Sequence, residues 1–227
     1  TKDDGSSLTH RHGIAQNVCN FGHRVDPVPE AISVLNFHYA HPFAVLENLN
    51  TGGVIGLDET GFMPKNDALY IDQAWRFMLS GSGLYNNLDY SFTAGYESGT
   101  WEIPAANPGW GGPAFREKLA ILAGTMDRVP FHRMDVSTAI AEAAGQEVLQ
   151  TGLASEGEVY LLFLEKLSGQ KLRLSISAAR YTFTWIDVES GREEERTMDW
   201  DTESAISCPF EAKRAALLIR REVSSAG

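Results

Sequence analysis

Glu59 stands where an apolar run, Val54-Ile55-Gly56-Leu57, stops and a turn, Thr60-Gly61, begins. The carboxyl ends of strands are where parallel α/β sheets and barrels carry their chemistry. A glutamate there is a candidate acid, base or nucleophile. To act as a nucleophile it needs neighbours that donate hydrogen bonds and keep it ionised. His38, Tyr39 and Asn17 have that chemistry, and each falls near the end of its own apolar run. A fourth run, Gly83-Leu84-Tyr85, leads into Asn86-Asn87-Leu88-Asp89-Tyr90. Polar groups therefore gather at the same end of successive runs.

Plainer roles compete at each position. Glu59 could cap a helix or pair with an arginine, and His38 could be a buried histidine bonded to backbone. Asp58 should point the opposite way along an extended strand and serve as a structural acceptor. His10-Arg11-His12 lies in a polar N-terminal stretch and reads as solvated, so no metal or other cofactor is expected. Trp75 sits on the apolar face of a helix and reads as core. Glu193-Glu194-Glu195-Arg196 reads as a solvated hairpin arm, and Gly109 to Pro113 as a turn without a phosphate-binding pattern.

The elements that must position these residues change character near residue 140. Before it, the runs Ile14–Val18, Ile32–Phe37, Val54–Leu57 and Gly83–Tyr85 alternate with helical patterns over Pro42–Leu49, Asp67–Ser80 and Pro113–Val129. The second pattern places Ile71, Ala74, Trp75 and Met78 on one face and ends at Gly81. The third opens on Pro113 and aligns Phe115, Leu119, Leu122 and Met126. Such alternation predicts right-handed βαβ units and a parallel sheet. The prolines between Asn20 and Ala31 do not support a helix there. From Val148 onward the pattern becomes Val159–Leu164, Leu172–Ile176, Tyr181–Ile186, Arg196–Trp200, Ala205–Ile206 and Ala215–Ile219, with turns at Ser168-Gly169 and Ser190-Gly191. This predicts an antiparallel β-sandwich of about eight strands. The expected fold class is thus α/β plus all-β, with domains at 1–140 and 141–227.

The 227 residues are 43% hydrophobic and 22% charged, an ordinary globular composition. A formal charge of -11 and a pI near 5.0 argue against a nucleic-acid partner. No apolar run approaches the ~20 residues that span a bilayer, so no membrane partner is expected. The chain opens on Thr1 and a polar stretch, shows no signal peptide, and reads as a processed or truncated product. Cys19 and Cys208 read as unpaired buried thiols. Length sets a sharper bound. An eightfold barrel takes ~250 residues, whereas about four strand–helix units precede the sandwich here. That is half a barrel, with two open parallel edges that soluble proteins seldom leave uncovered.

Leu35-Asn36-Phe37-His38-Tyr39-Ala40-His41-Pro42, then Ile55-Gly56-Leu57-Asp58-Glu59-Thr60-Gly61-Phe62, then Ala74 through Gly83 resemble the last half of a retaining, clan A type glycoside hydrolase barrel. Trp185-Ile186-Asp187-Val188-Glu189-Ser190-Gly191 is similar to a Trp-Tyr-Asp-Pro-x-x-Gly turn of the β-sandwich often fused behind such barrels, with Ile and Val replacing Tyr and Pro. Together the resemblance covers most of residues 10 to 222. It implies that Glu59 is the nucleophile, that His38 and Tyr39 position it and touch the sugar, and that Asn17 and Asn87 contact substrate. Trp101 and Trp110, in a loop rich in Gly, Pro and Asn, either stack on sugar faces or pack the loop onto the rim. A retaining mechanism uses a second carboxyl about 5–5.5 Å from the nucleophile, and the resemblance places it after an Asn-Glu. No Asn-Glu dipeptide occurs in this sequence.

The expectation is therefore the C-terminal part of a retaining glycoside hydrolase, acting on O-glycosidic bonds and inactive alone. The alternative is a non-catalytic carbohydrate-binding or assembly module. Expected partners are a carbohydrate and either a complementary barrel half or a second copy forming a homo-oligomer. A secreted or extracytoplasmic setting would suit the family it resembles.

Overall fold

The computed structural model describes residues 13–19, 24–61, 65–137, 141–143, 146–167, 169 and 171–222. His10-Arg11-His12 lie outside them. Four strands, β1 (Ala15–Cys19), β2 (Val34–His38), β3 (Val54–Glu59) and β4 (Leu84–Tyr85), form a parallel sheet in that order. Helix α1 (Phe43–Asn48) follows β2, α2 (Asp67–Leu79) follows β3, and α3 (Pro113–Met126) follows the long loop after β4. The strand–helix alternation of the sequence thus becomes a parallel sheet. The sheet stays open, and no closed barrel forms among the described residues.

Side-chain alternation divides this sheet into two faces. Leu35, Phe37, Ile55 and Leu57 face Ala44, Val45 and Phe77 and form one buried cluster with them. Asn36 and His38 on β2, with Gly56 and Glu59 on β3, occupy the other face by register. Helix α2 begins where Asn66 Oδ1 accepts from the Ala68 amide at 3.1 Å, with Asp67 against the positive end of the helix. It has two apolar faces. Phe77 meets the parallel sheet, while Ile71 and Trp75 join Phe115, Leu122 and Met126 of α3 in a second cluster.

That second cluster is completed by antiparallel strands. Strands β5 (Asp135–Val136), β6 (Ala141–Ala143), β7 (Gln146–Glu147), β8 (Leu149–Ser155) and β9 (Val159–Glu165) come first. Then follow β10 (Lys171–Leu174), β11 (Ala179–Ile186), β12 (Glu193–Trp200), β13 (Ile206–Ser207) and β14 (Arg214–Arg221). One sheet runs β12-β11-β14-β9-β8-β5 and the other β13-β10-β6-β7. Val159, Leu161 and Phe163 of β9 pack on the helices. Tyr160, Leu162 and Leu164 pack toward the second sheet. Burial on both faces explains why Val159–Leu164 is an unbroken apolar run rather than an alternating one. Trp75 is core as expected, stacked on Phe163 with ring centroids 5.8 Å apart.

Two expectations need correction. Among the described residues the antiparallel part has ten strands, not about eight. Strand β8 was hidden by its polar start and by Gly152, where a Cβ would come within 2.5 Å of Leu162 Cδ2. Glu193–Arg196 is, as expected, a mostly exposed hairpin arm: it forms the first half of β12, paired along β11 from Ile186 to Phe183. Cys208 is a buried free thiol, but Cys19 is exposed because β1 is the sheet's edge.

Candidate active site

The β2–β3 register shifts between Phe37 and His38. Phe37 lies opposite Leu57, but His38 lies opposite Glu59, so Asp58 is the extra residue of a bulge. This re-aims the strand end and brings Glu59 onto the face of His38. His38 Nδ1 lies 2.6 Å from Glu59 Oε2. The Tyr39 hydroxyl donates to Glu59 Oε1, and the Tyr39 amide donates to the Glu59 carbonyl at 2.9 Å. Both carboxylate oxygens are therefore held by neighbouring side chains. Tyr39 sits at φ 55, a left-handed conformation uncommon for a bulky residue, next to the carboxylate it serves.

Asp58 does not simply point away. The bulge breaks the alternation, and Asp58 Oδ1 comes to 3.0 Å from His38 Nε2 without the alignment of a hydrogen bond. The imidazole thus lies between two carboxylates. Burial, then the bond to Glu59, pushes the Tyr39 phenol above its ordinary value. Tyr39 accordingly keeps its proton and remains a donor to Glu59.

Side chains from α2 and β4 brace this rim. The Thr60 hydroxyl donates to Gln73 Oε1 at 2.8 Å, and the Tyr85 hydroxyl reaches the same oxygen at 3.2 Å. Gly61, at φ 101, lies flat on Asn87; a Cβ there would fall 2.4 Å from Asn87 Oδ1. Asn87 is buried beneath this turn. One row down the strands, the Asn36 amide donates to Asn17 Oδ1 at 3.2 Å, beside Gly56. Asn36 was not singled out from the sequence, although its spacing of two from His38 puts it on the same face.

The loop after β4 is tied down by Asp89. Its carboxylate accepts from the Ser91 amide at 2.9 Å and from Arg116, which also donates to the Gly99 carbonyl at 2.8 Å. Burial pushes the Asp89 carboxyl up, but hydrogen bonds from Ser91 and Arg116 outweigh it and hold the group below its usual range. Trp101, with Tyr90, Phe92 and Asn107, lines an open pocket of about 410 Å³ in this loop. Trp110 is placed differently: its indole N–H donates to Asp67 Oδ1 at 2.8 Å, and the ring packs against the helix cluster. The structure therefore gathers Glu59, His38, Tyr39 and Asp58 at one point, with Asn17 a row below and Asn87 under the adjoining turn. Among the described residues no group of three or more His, Cys, Asp or Glu side chains is placed to hold a metal ion.

No family model and no curated protein matches this sequence. Solved structures do match. A glycoside hydrolase family 5 protein from Bacteroides vulgatus ATCC 8482 aligns with a TM-score of 0.64 and 14% identity, over 89% of this chain and 54% of that one. A second structure, described as a glycoside hydrolase, aligns with a TM-score of 0.55 and 11% identity, over 85% of this chain and 53% of that one. The chain spans about half the length of the solved structures it matches. At such identities the likeness is one of fold alone, shared with about half of each of these two structures.

Proposed function

We propose that this chain is the C-terminal part of a retaining glycoside hydrolase, a half barrel carrying the nucleophile followed by a β-sandwich from about residue 141. The observation that carries the reading is the grip of Tyr39 and His38 on the two oxygens of Glu59 at the carboxyl end of β3. Glu59 attacks the anomeric carbon of an O-glycoside, and the glycosidic electron pair leaves with the aglycone oxygen. Tyr39 and His38 aim the carboxylate, Asn17 flanks the sugar, Trp101 offers it an aromatic face, and Asn87, buried under Gly61, supports the turn beside Glu59 rather than touching the sugar. Trp110, tied to Asp67, holds the loop in place. The acid that protonates an ordinary leaving group belongs to the complementary half of the barrel, which also covers the edges of β1 and β4. Alone, the chain does not turn over natural glycosides.

A leaving group that departs without protonation separates the nucleophile from the missing acid. A 2,4-dinitrophenyl 2-deoxy-2-fluoro glycoside needs only the nucleophile for the first step. The expected result is a glycosyl mass increment on the peptide containing Glu59, absent in Glu59→Gln. Labelling that persists in Glu59→Gln would remove Glu59 from the role. Hydrolysis of an alkyl glycoside by the isolated chain, lost in Glu59→Gln, would overturn the claim that it is inactive alone.

A second reading is a glycan-binding or assembly module without turnover. It draws on the open parallel sheet, where Val54 and Leu84 remain exposed beside Gly56. On this reading sugar binding survives Glu59→Ala and is lost in Trp101→Ala.

A further inference from the structure

Away from Glu59, the two antiparallel sheets leave a cleft of about 570 Å³ on the side of their edge strands β12 and β13. This is within the ordinary range for small-ligand sites. Trp185 and Ile206 line it from the core, Glu194 and Arg196 from β12, and Lys171 and Ser207 from the smaller sheet.

The register shows why the lining is unusual. Trp185 pairs with Glu194, and Phe183 with Arg196, and directly paired residues share a face. β12 therefore places a carboxylate and a guanidinium on the face where β11 places two core aromatics. A strand that only closed the core would carry apolar residues there. Glu194 is occupied by Arg192, whose guanidinium lies 5.1 Å from the Phe210 ring centroid. Glu195, also at the cleft, accepts from the Thr184 hydroxyl at 3.1 Å. Arg196 and Lys171 meet no carboxylate among the described residues.

The third donor is Trp185 itself. It is 3% exposed, and its indole N–H has no acceptor among the described residues. Buried indole N–H groups normally find one. Trp75 also lacks an acceptor, but it is stacked on Phe163 inside the helix cluster. Trp185, by contrast, lines the cleft beside Arg196 and Lys171, exposed cations that meet no carboxylate among the described residues. Glu194 is paired with Arg192 and Glu195 turns to Thr184, so no carboxylate of the described residues answers Arg196, Lys171 or the Trp185 N–H, and an acceptor bearing negative charge would suit all three. In a chain of net charge -11, anions are repelled from most of the surface, which makes such a place selective.

We propose that this cleft binds the carboxylate of an acidic sugar, with Arg196 and Lys171 facing the charge and the Trp185 N–H donating to a carboxylate or ring oxygen. The sugar part rests on the glycoside hydrolase reading above; the charge part rests on the cleft alone.

The test is calorimetric titration of the full chain with glucuronic acid, glucose and sodium sulfate at fixed ionic strength. Variants Trp185→Phe, Arg196→Gln and Glu59→Gln are checked for unchanged thermal unfolding. Glucuronic acid should bind at least about 10-fold more tightly than glucose or sulfate. Arg196→Gln should weaken it about 10-fold and Trp185→Phe about 5-fold. The Trp185 indole N–H resonance should move on addition of glucuronic acid. Equal binding of glucose, or full affinity in Arg196→Gln, overturns the proposal. Sulfate binding as tightly as glucuronic acid overturns its sugar part and leaves a plain anion site. Glu59→Gln should keep full glucuronic acid affinity; its loss would move the binding to the Glu59 rim. Because the fluoro glycoside reads Glu59 and this titration reads Arg196, either reading can fail without the other.

Discussion

Arg76 of α2 grips Glu165, the last residue of β9, with two nitrogens: Nε to Oε2 at 2.8 Å and a terminal nitrogen to Oε1. One helical turn earlier, Asp72 meets Arg214 of β14, which also reaches Glu189; Lys118 of α3 bridges Glu189 and Asp67. A charged belt thus clips the helices to the larger antiparallel sheet at the margin of their shared apolar cluster. Forked arginine–carboxylate pairs are the strong kind, and Glu165 is mostly buried. Arg76→Ala should therefore cost about 1–3 kcal/mol, with Arg76→Lys recovering only part because it loses the fork. Urea unfolding of the single and double variants with Glu165→Ala gives the coupling. A value near zero would show that the pair is ornamental.

Asp72 makes the same interface sensitive to pH. Burial pushes its carboxyl up to about 6, against the opposing pull of Arg214. In the unfolded chain the group titrates near 3.8. Between these values the folded state holds a proton that the unfolded state has released, so raising the pH through that window lowers stability. Below about 3.8 and above about 6 the group adds no slope. Relative to Asp72→Asn, the natural chain should lose melting temperature steadily from pH 4 to pH 6 and then level off. Parallel curves for the two proteins would contradict this.

Much of this arrangement was legible in the sequence, for reasons that also mark where legibility ends. The helix over 67–79 announced itself through the Ile71-Ala74-Trp75 stripe and Gly81, because stripes and stops are local signals; its cap at Asn66 went unread. Glu59, His38 and Tyr39 were legible because each ends an apolar run. The bulge at Asp58 was not, since it is a property of two strands in register and alternation alone sends Asp58 away from His38. Trp110 shows the same limit: a loop tryptophan suggests a ligand face, while the acceptor that claims its N–H, Asp67, is 43 residues away in sequence. Strand β8 was hidden because it draws its burial from partners on both faces rather than from its own pattern.

If Glu59 is the nucleophile, Tyr39 supplies a donor that keeps the carboxylate ionised and fixed in orientation before it attacks. Its phenol is held protonated, so the hydrogen bond to Glu59 persists across the neutral range. Misplacing a reacting group by about 1 Å can cost about 10²-fold. Tyr39→Phe, by loosening that carboxylate, should slow fluoro glycoside labelling of Glu59 by up to roughly that factor while leaving the labelled residue unchanged. Mass spectrometry over a time course reads both. An unaltered rate would mean that the bond is structural and does not act on the carboxylate's reactivity.

Arg116 decides whether Trp101 has a fixed position. Its guanidinium ties Asp89, the Ser91 hydroxyl and the Gly99 carbonyl together and lies 4.8 Å from the Phe92 ring centroid. The Trp101 amide in turn donates to the Ser91 carbonyl at 3.1 Å. Removing Arg116 leaves Asp89 charged, largely buried and without its cation, a change worth about 1–3 kcal/mol. Arg116→Ala should therefore raise hydrogen exchange across residues 89–101 more than in α3 itself. If Trp101 contacts sugar, the same variant should lose glycan affinity as far as Trp101→Ala does, even though Arg116 touches no ligand. Arg116→Lys should restore the charge but not the several simultaneous bonds, and so fall between. Protection unchanged in Arg116→Ala would show that the loop is held by its turns alone, such as the close stacking of Gly109 on Tyr90.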